Sequence, residues 1–221
     1  MKALHILTLA VSLAGVCSAA TVIQTQTATF SGTPTYSGFN TFNQFDSSLG
    51  TLTAITITTG VTSVGGRYSI DNDSPTPGAG TVTLGANVTI SSSDVRQAGV
   101  TSEASTTVSL SVAEDDGDTT TYSTVGLDSA SYEGGTVSNS ANRSVTSGVF
   151  SDYTGLGTFT IDFTSNQINS SDSFSGIQTQ IDPVASNGFI TVEYTYEAVP
   201  EPTSALLGGI GCLALLRRRR H

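Results

Sequence analysis

The chain reads as an all-β protein, an antiparallel β-sandwich with a jelly-roll-like arrangement as its variant, followed by a short carboxy-terminal apolar helix. Three observations carry that reading. From Thr21 to Glu197, apolar and hydroxyl side chains alternate with period two, and no helical period is sustained. Thr, Ser, Val and Gly dominate the same stretch, and stiff β-branched side chains pack well on a pleated surface. Clusters of Gly, Asn, Asp, Ser and Pro interrupt the alternation at intervals that fit roughly nine to eleven strands.

The first element precedes the domain. Met1-Lys2 is a short basic start, Ile6 to Val16 is an apolar run, and Ser18, Ala19 and Ala20 are small. That order is a secretory signal peptide over residues 1–20; cleavage by signal peptidase after Ala20 or after Ala19 fits the small residues, and the expected cut is between Ala20 and Thr21. A lipidated Cys17 is the rival reading, but it needs a small residue where the bulky Val16 stands.

The strands follow in order. Leu52 to Ile57, Thr81 to Leu84, Val88 to Ile90, Thr107 to Val112, Thr158 to Phe163 and Gly188 to Tyr196 each put apolar side chains on one face and polar ones on the other. Turns are expected at Gly65-Gly66, at Asp71 to Gly78, at Glu114 to Asp118, at Glu133-Gly134-Gly135 and at Ser186-Asn187-Gly188. Between Asp128 and Ser147, only Val137 and Val145 anchor a Ser-, Gly- and Asn-rich segment, which reads as a long loop or an edge strand. Residues 21–197, about 180 in all, suffice for one sandwich-sized domain.

Composition narrows the chemistry. The whole chain carries a formal charge of −10, and between Thr21 and Val199 every acidic residue but Glu201 faces only Arg67, Arg96 and Arg143. Nucleic acid and anionic membrane are poor partners for such a surface. Cys17, Cys212, His5, His221 and Lys2 all lie outside that stretch, so it offers no thiol, imidazole or amine. Ser-His-Asp, thiol and Schiff-base catalysis are thereby excluded for the domain, and the expectation is a non-enzymatic protein. A carboxylate pair drawn from Glu103, Glu114, Glu133 and Glu193 is the remaining catalytic reading, and no spacing selects one. Carbohydrate binding, to a surface polysaccharide for instance, is the alternative function. The chain has no tryptophan, so its stacking platforms would be Tyr36, Tyr68, Tyr122, Tyr132 and Tyr153. Calcium is the cofactor that the residue types allow. Asp115, Asp116 and Asp118 around Gly117, or Asp71 and Asp73, offer hard oxygen ligands at close spacing, without the pattern of a helix-loop-helix calcium loop.

After Tyr196 the character changes. Val199, Pro200, Glu201 and Pro202 open a tail over residues 198–221, an apolar run from Ala205 to Leu216 follows, and Arg217, Arg218, Arg219 and Arg220 stop it. The prolines hold the backbone extended and deny it donors, which suits an accessible recognition strand. As a helix the apolar run would reach about 18 Å against about 30 Å of bilayer core, with the arginines reaching back to the head groups on the cytoplasmic side. The tail thus reads as a membrane insertion that leaves the domain outside, transient if the tail is cut and lasting if it is an anchor that is never cleaved.

Those three parts together resemble the PEP-CTERM family of exported bacterial proteins. The resemblance implies an exosortase as partner, a membrane transpeptidase that cuts near Pro200 to Pro202 and releases or transfers the domain to the envelope surface or the extracellular matrix. A second stretch, Phe42-Asn43-Gln44-Phe45-Asp46 through Leu49-Gly50-Thr51-Leu52 to Ile57, resembles the opening of choice-of-anchor E domains. Those modules occur with different sorting tails, which implies a domain that folds independently of its anchor.

Overall fold

Residues whose stiff side chains alternate between water and core form strands, and here they do so almost throughout. The computed structural model of the chain describes residues 19–117 and 122–199, together with residue 208. Its strands are β1 (Thr21–Gly32), β2 (Tyr36–Asn43), β3 (Gly50–Val64), β4 (Arg67–Asn72), β5 (Gly78–Ser91), β6 (Val100–Val112), β7 (Ser129–Glu133), β8 (Thr136–Val145), β9 (Thr158–Asp172), β10 (Ile177–Asp182) and β11 (Ala185–Ala198). All eight strand pairings are antiparallel. The expected fold class, an antiparallel all-β sandwich, is what the chain adopts.

Two four-stranded sheets form the layers, in the orders β1-β11-β3-β8 and β2-β9-β5-β6. One core cluster draws Ile57, Val61, Ile190 and Val192 from the first and Leu84, Val88, Ile161 and Phe163 from the second. The period-two pattern is the cause: in β3, residues 55, 57, 59, 61 and 63 are all buried. A 3₁₀ segment, Ser147–Tyr153, closes one end of the sandwich by burying Tyr153 edge-on to Phe159, with ring centroids 5.4 Å apart. The Tyr153 hydroxyl donates to the Arg96 carbonyl at 2.6 Å, which satisfies the buried polar end of the ring.

The third sheet, β10-β4-β7, continues the first beyond a bend. Val64 stands opposite Thr136 before the bend, and Arg67 stands opposite Glu133 after it, so the register is unbroken. The other neighbour behaves alike, with Ala185 opposite Val64 and Asp182 opposite Arg67. Three strands therefore bend together, at Gly65-Gly66, at Gly134-Gly135 and at Pro183-Val184. Gly65 N–H donates to the Gly135 carbonyl at 3.0 Å and Gly134 N–H to the Gly66 carbonyl at 2.8 Å, holding the bend. Gly66, at φ +79°, lies against Val184, where a side chain would collide. Beyond the bend, Tyr68 and Ile70 pack with Val82 and Val112 into a second, smaller core.

Three sequence expectations change. Ser186-Asn187-Gly188 is strand rather than turn, because Gly188 lies opposite Phe30 and is covered by its ring, while Ser186 is buried and shares a hydrogen bond with Ser165 at 2.8 Å. Phe189 covers Gly60 and Phe163 covers Gly38 in the same way, so three cross-strand aromatic-glycine pairs fix the register. Thr81 to Leu84 and Val88 to Ile90 join into one strand, since Gly85 between them packs directly on the β6 backbone. The segment after Asp128 resolves into β7 and β8, and β8 is an edge strand of the first sheet. The expected apolar helix lies outside the described residues, save Gly208. Among those described, no helix is long and apolar enough to cross a membrane.

Candidate metal centre

The far end of the bent sheet gathers acid. Asp71 is the penultimate residue of β4, Asp128 immediately precedes β7, and Asp115 and Asp116 follow β6 in the opposite layer. Ala113 N–H donates to the Leu127 carbonyl at 2.9 Å, Asn72 N–H to that of Asp128 at 3.1 Å, and Asp115 N–H to that of Ser74 at 2.9 Å. Buried Asn72 adds side-chain bonds from its Nδ2 to the carbonyls of Thr76 and Ala113. The β4–β5 loop and the two ends of the β6–β7 connection are thus tied into one scaffold.

On that scaffold, carboxylate oxygens of Asp115, Asp116 and Asp128 lie within 4.8 Å of one another. The Asp128 carboxylate is buried: its Oδ2 accepts from the Asp116 N–H at 3.0 Å, and its Oδ1 has no donor among the described residues. Asp71, also fully buried, repeats the pattern, with Oδ2 accepting from Ser123 N–H at 2.6 Å and Oδ1 without a donor. Gly126, at φ +144°, keeps open the space beside them, for a side chain there would begin 2.4 Å from Asp128 Oδ1 and 3.0 Å from Asp116 Oδ2. Repulsion from Asp128, then desolvation and the charges of Asp115 and Asp71, raises the Asp116 carboxyl above its ordinary pKa. Among the described residues no base answers this charge. Arg67 pairs with Glu133, Arg96 pairs with Asp152, and Arg143 reaches the Gly99 carbonyl.

The structure therefore merges parts of the two acidic segments that the sequence offered as alternatives. Asp73 turns away, accepting from Gln178 Nε2 at 2.8 Å, and Asp118 lies outside the described residues. Asp128 escaped sequence reasoning because a lone aspartate has no local signal, and only the pairing of β7 with β4 carries it to Asp71.

The other site residues are dispersed. Ala20 accepts a bond from Ala198 N–H at 2.9 Å, Thr21 opens β1, and exposed Val199 donates to the Leu49 carbonyl at 3.1 Å. Pro200, Glu201, Pro202 and Arg217 to Arg220 lie outside the described residues. None of the five tyrosines considered as sugar platforms is exposed: Tyr68 and Tyr153 are core, and Tyr36, Tyr122 and Tyr132 are half-buried. Glu103 and Glu114 are exposed, Glu133 pairs with Arg67 at 2.9 Å, and Glu193 lies on β11.

No protein-family model matches the chain, and no curated protein matches it. Among solved structures, similarity reaches that of the infectious bursal disease virus Gx strain at 13% identity and TM-score 0.22, covering 92% of this chain and 50% of the other. The VP2 subviral particle of the same virus matches at 13% identity and TM-score 0.21, again over 92% and 50%. The chain spans about half the length of those proteins, and likeness at this level carries no argument about it.

Proposed function

We propose that the protein is an exported, non-enzymatic structural or interaction domain of the cell surface or extracellular matrix, sorted and processed through its Pro-Glu-Pro tail. One observation carries the reading. Thr21 lies opposite Glu197 across β1 and β11, and Ala198 lies opposite Gly50 at the start of β3, so the first residue of β1 and the last residues of β11 lie side by side at one end of the sandwich. From Gly50 the strand path runs through the bend to Asn72, roughly 70 Å of extended chain at about 3.3 Å per residue. A domain tethered by its tail at one end would hold its loops away from the membrane at the other. The thiol- and imidazole-free composition fits a body that works by packing and contact.

The test is intact mass of the protein recovered from medium, envelope and polymer fractions of the native host, beside a variant with Pro200, Glu201 and Pro202 replaced by alanine. Wild type is expected to lack Met1 to Ala20 and the apolar tail, and the variant to retain the tail. A wild-type mass that still includes Ala205 to His221 would overturn the sorting reading and leave an anchored domain.

A further inference from the structure

Four carboxylates that no base meets among the described residues raise the question of what neutralises them. Two of them, Asp71 and Asp128, are fully buried, and each holds one oxygen that receives no hydrogen bond among the described residues. A buried ionised carboxylate is strongly unfavourable unless a counter-charge or donors compensate it. Ordinary acidic turns escape this cost by standing in water, and Asp71 and Asp128 do not. The connection from β6 to β7 adds no base either, since residues 113–128 contain no lysine, arginine or histidine.

We propose that Asp115, Asp116 and Asp128, with Asp71 behind them, form a calcium site that staples the two layers of the sandwich at the end remote from the tail. The donor set is oxygen alone, which selects a hard cation. Irregular loops supply it, and calcium accepts six to eight oxygens in flexible geometry where magnesium demands a near-ideal octahedron. Gly126 supplies the room, because any side chain would occupy the space beside Asp116 Oδ2 and Asp128 Oδ1. The ligands come from the β6 end on one side and the β4-β7 end on the other, so a bound ion adds a tie to the backbone and Asn72 side-chain bonds that already join these segments. This inference is independent of how the tail is processed.

The test uses the full chain stripped with a chelator, titrated with calcium chloride by calorimetry and melted with calcium, with magnesium, and with sodium chloride at matched ionic strength. Calcium about a hundredfold above its Kd is expected to raise Tm by about 5–10 °C, with magnesium and sodium giving much less. Asp128→Asn is expected to weaken calcium binding at least about tenfold, since ligand charge sets affinity at such sites. Asp116 is exposed, so Asp116→Asn preserves the fold; it should melt higher than wild type without calcium, where repulsion is relieved, and gain less from calcium. A Tm gain no larger for calcium than for magnesium or matched sodium, or a gain fully retained in Asp116→Asn, would overturn the site.

Discussion

At the scale of single residues, the protein shows a tightly paired charge at Arg96 and Asp152 and a crowded one at Asp116, and the two conditions have opposite consequences. Arg96 grips Asp152 with both arms, Nε to Oδ2 at 2.7 Å and Nη2 to Oδ1 at 2.9 Å. Those bonds lower the Asp152 carboxyl from 3.8 to about 2. Because the folded form holds its proton less tightly than the unfolded form, the pair stabilises the fold above pH 3.8, and that contribution fades as pH falls toward about 2. Asp152→Asn should therefore lower stability at neutral pH and flatten the acid limb of a pH-stability curve in that window, as read by urea melts. An unchanged acid limb would contradict it. Asp94 is lowered too, by the hydroxyl and N–H of Thr160, so it adds to the wild-type limb without involving Arg96.

At the scale of elements, the bend in the first sheet is the feature to probe. A Cβ added to Gly134 would lie 2.0 Å from the Gly65 carbonyl oxygen, and backbone cannot give way there as a side-chain tip can. Gly135, the next residue, has nothing within 4 Å. Gly134→Ala should cost more than about 1 kcal/mol while Gly135→Ala stays within about 0.5 kcal/mol, measured by chemical denaturation. Equal effects would show that the bend is not held by close backbone contact. The glycine pairs were legible as interruptions, but not as bends. Glycine frees the backbone locally, whereas the direction the chain takes afterwards is set by the strands on either side, which keep their register across the break. Ser186-Asn187-Gly188 was misread for a related reason, since turn-forming composition yields to an aromatic ring on the neighbouring strand that needs a glycine beneath it.

At the scale of the whole molecule, the topology pairs the first strand with the last and threads β3 between β11 and β8. Loop closure over such separations must precede the contacts that reward it, so refolding is expected in the millisecond-to-second range rather than microseconds. Stopped-flow refolding of the full chain checks this, and microsecond completion would argue that local contacts dominate the barrier. The same topology assembles the acidic end of the sandwich, where residues 115, 116 and 128 meet and the charge of Asp71 is felt at Asp116. Alternation and β-branched composition determined the all-β class and most of the strands, because side chains on a pleated strand face opposite sides whatever their partners are. Composition likewise determined which catalytic residue types the body of the chain lacks. The bend, the register and the company of Asp128 were decided only in three dimensions, because each depends on which strands lie side by side, and that follows from packing two sheets around one core.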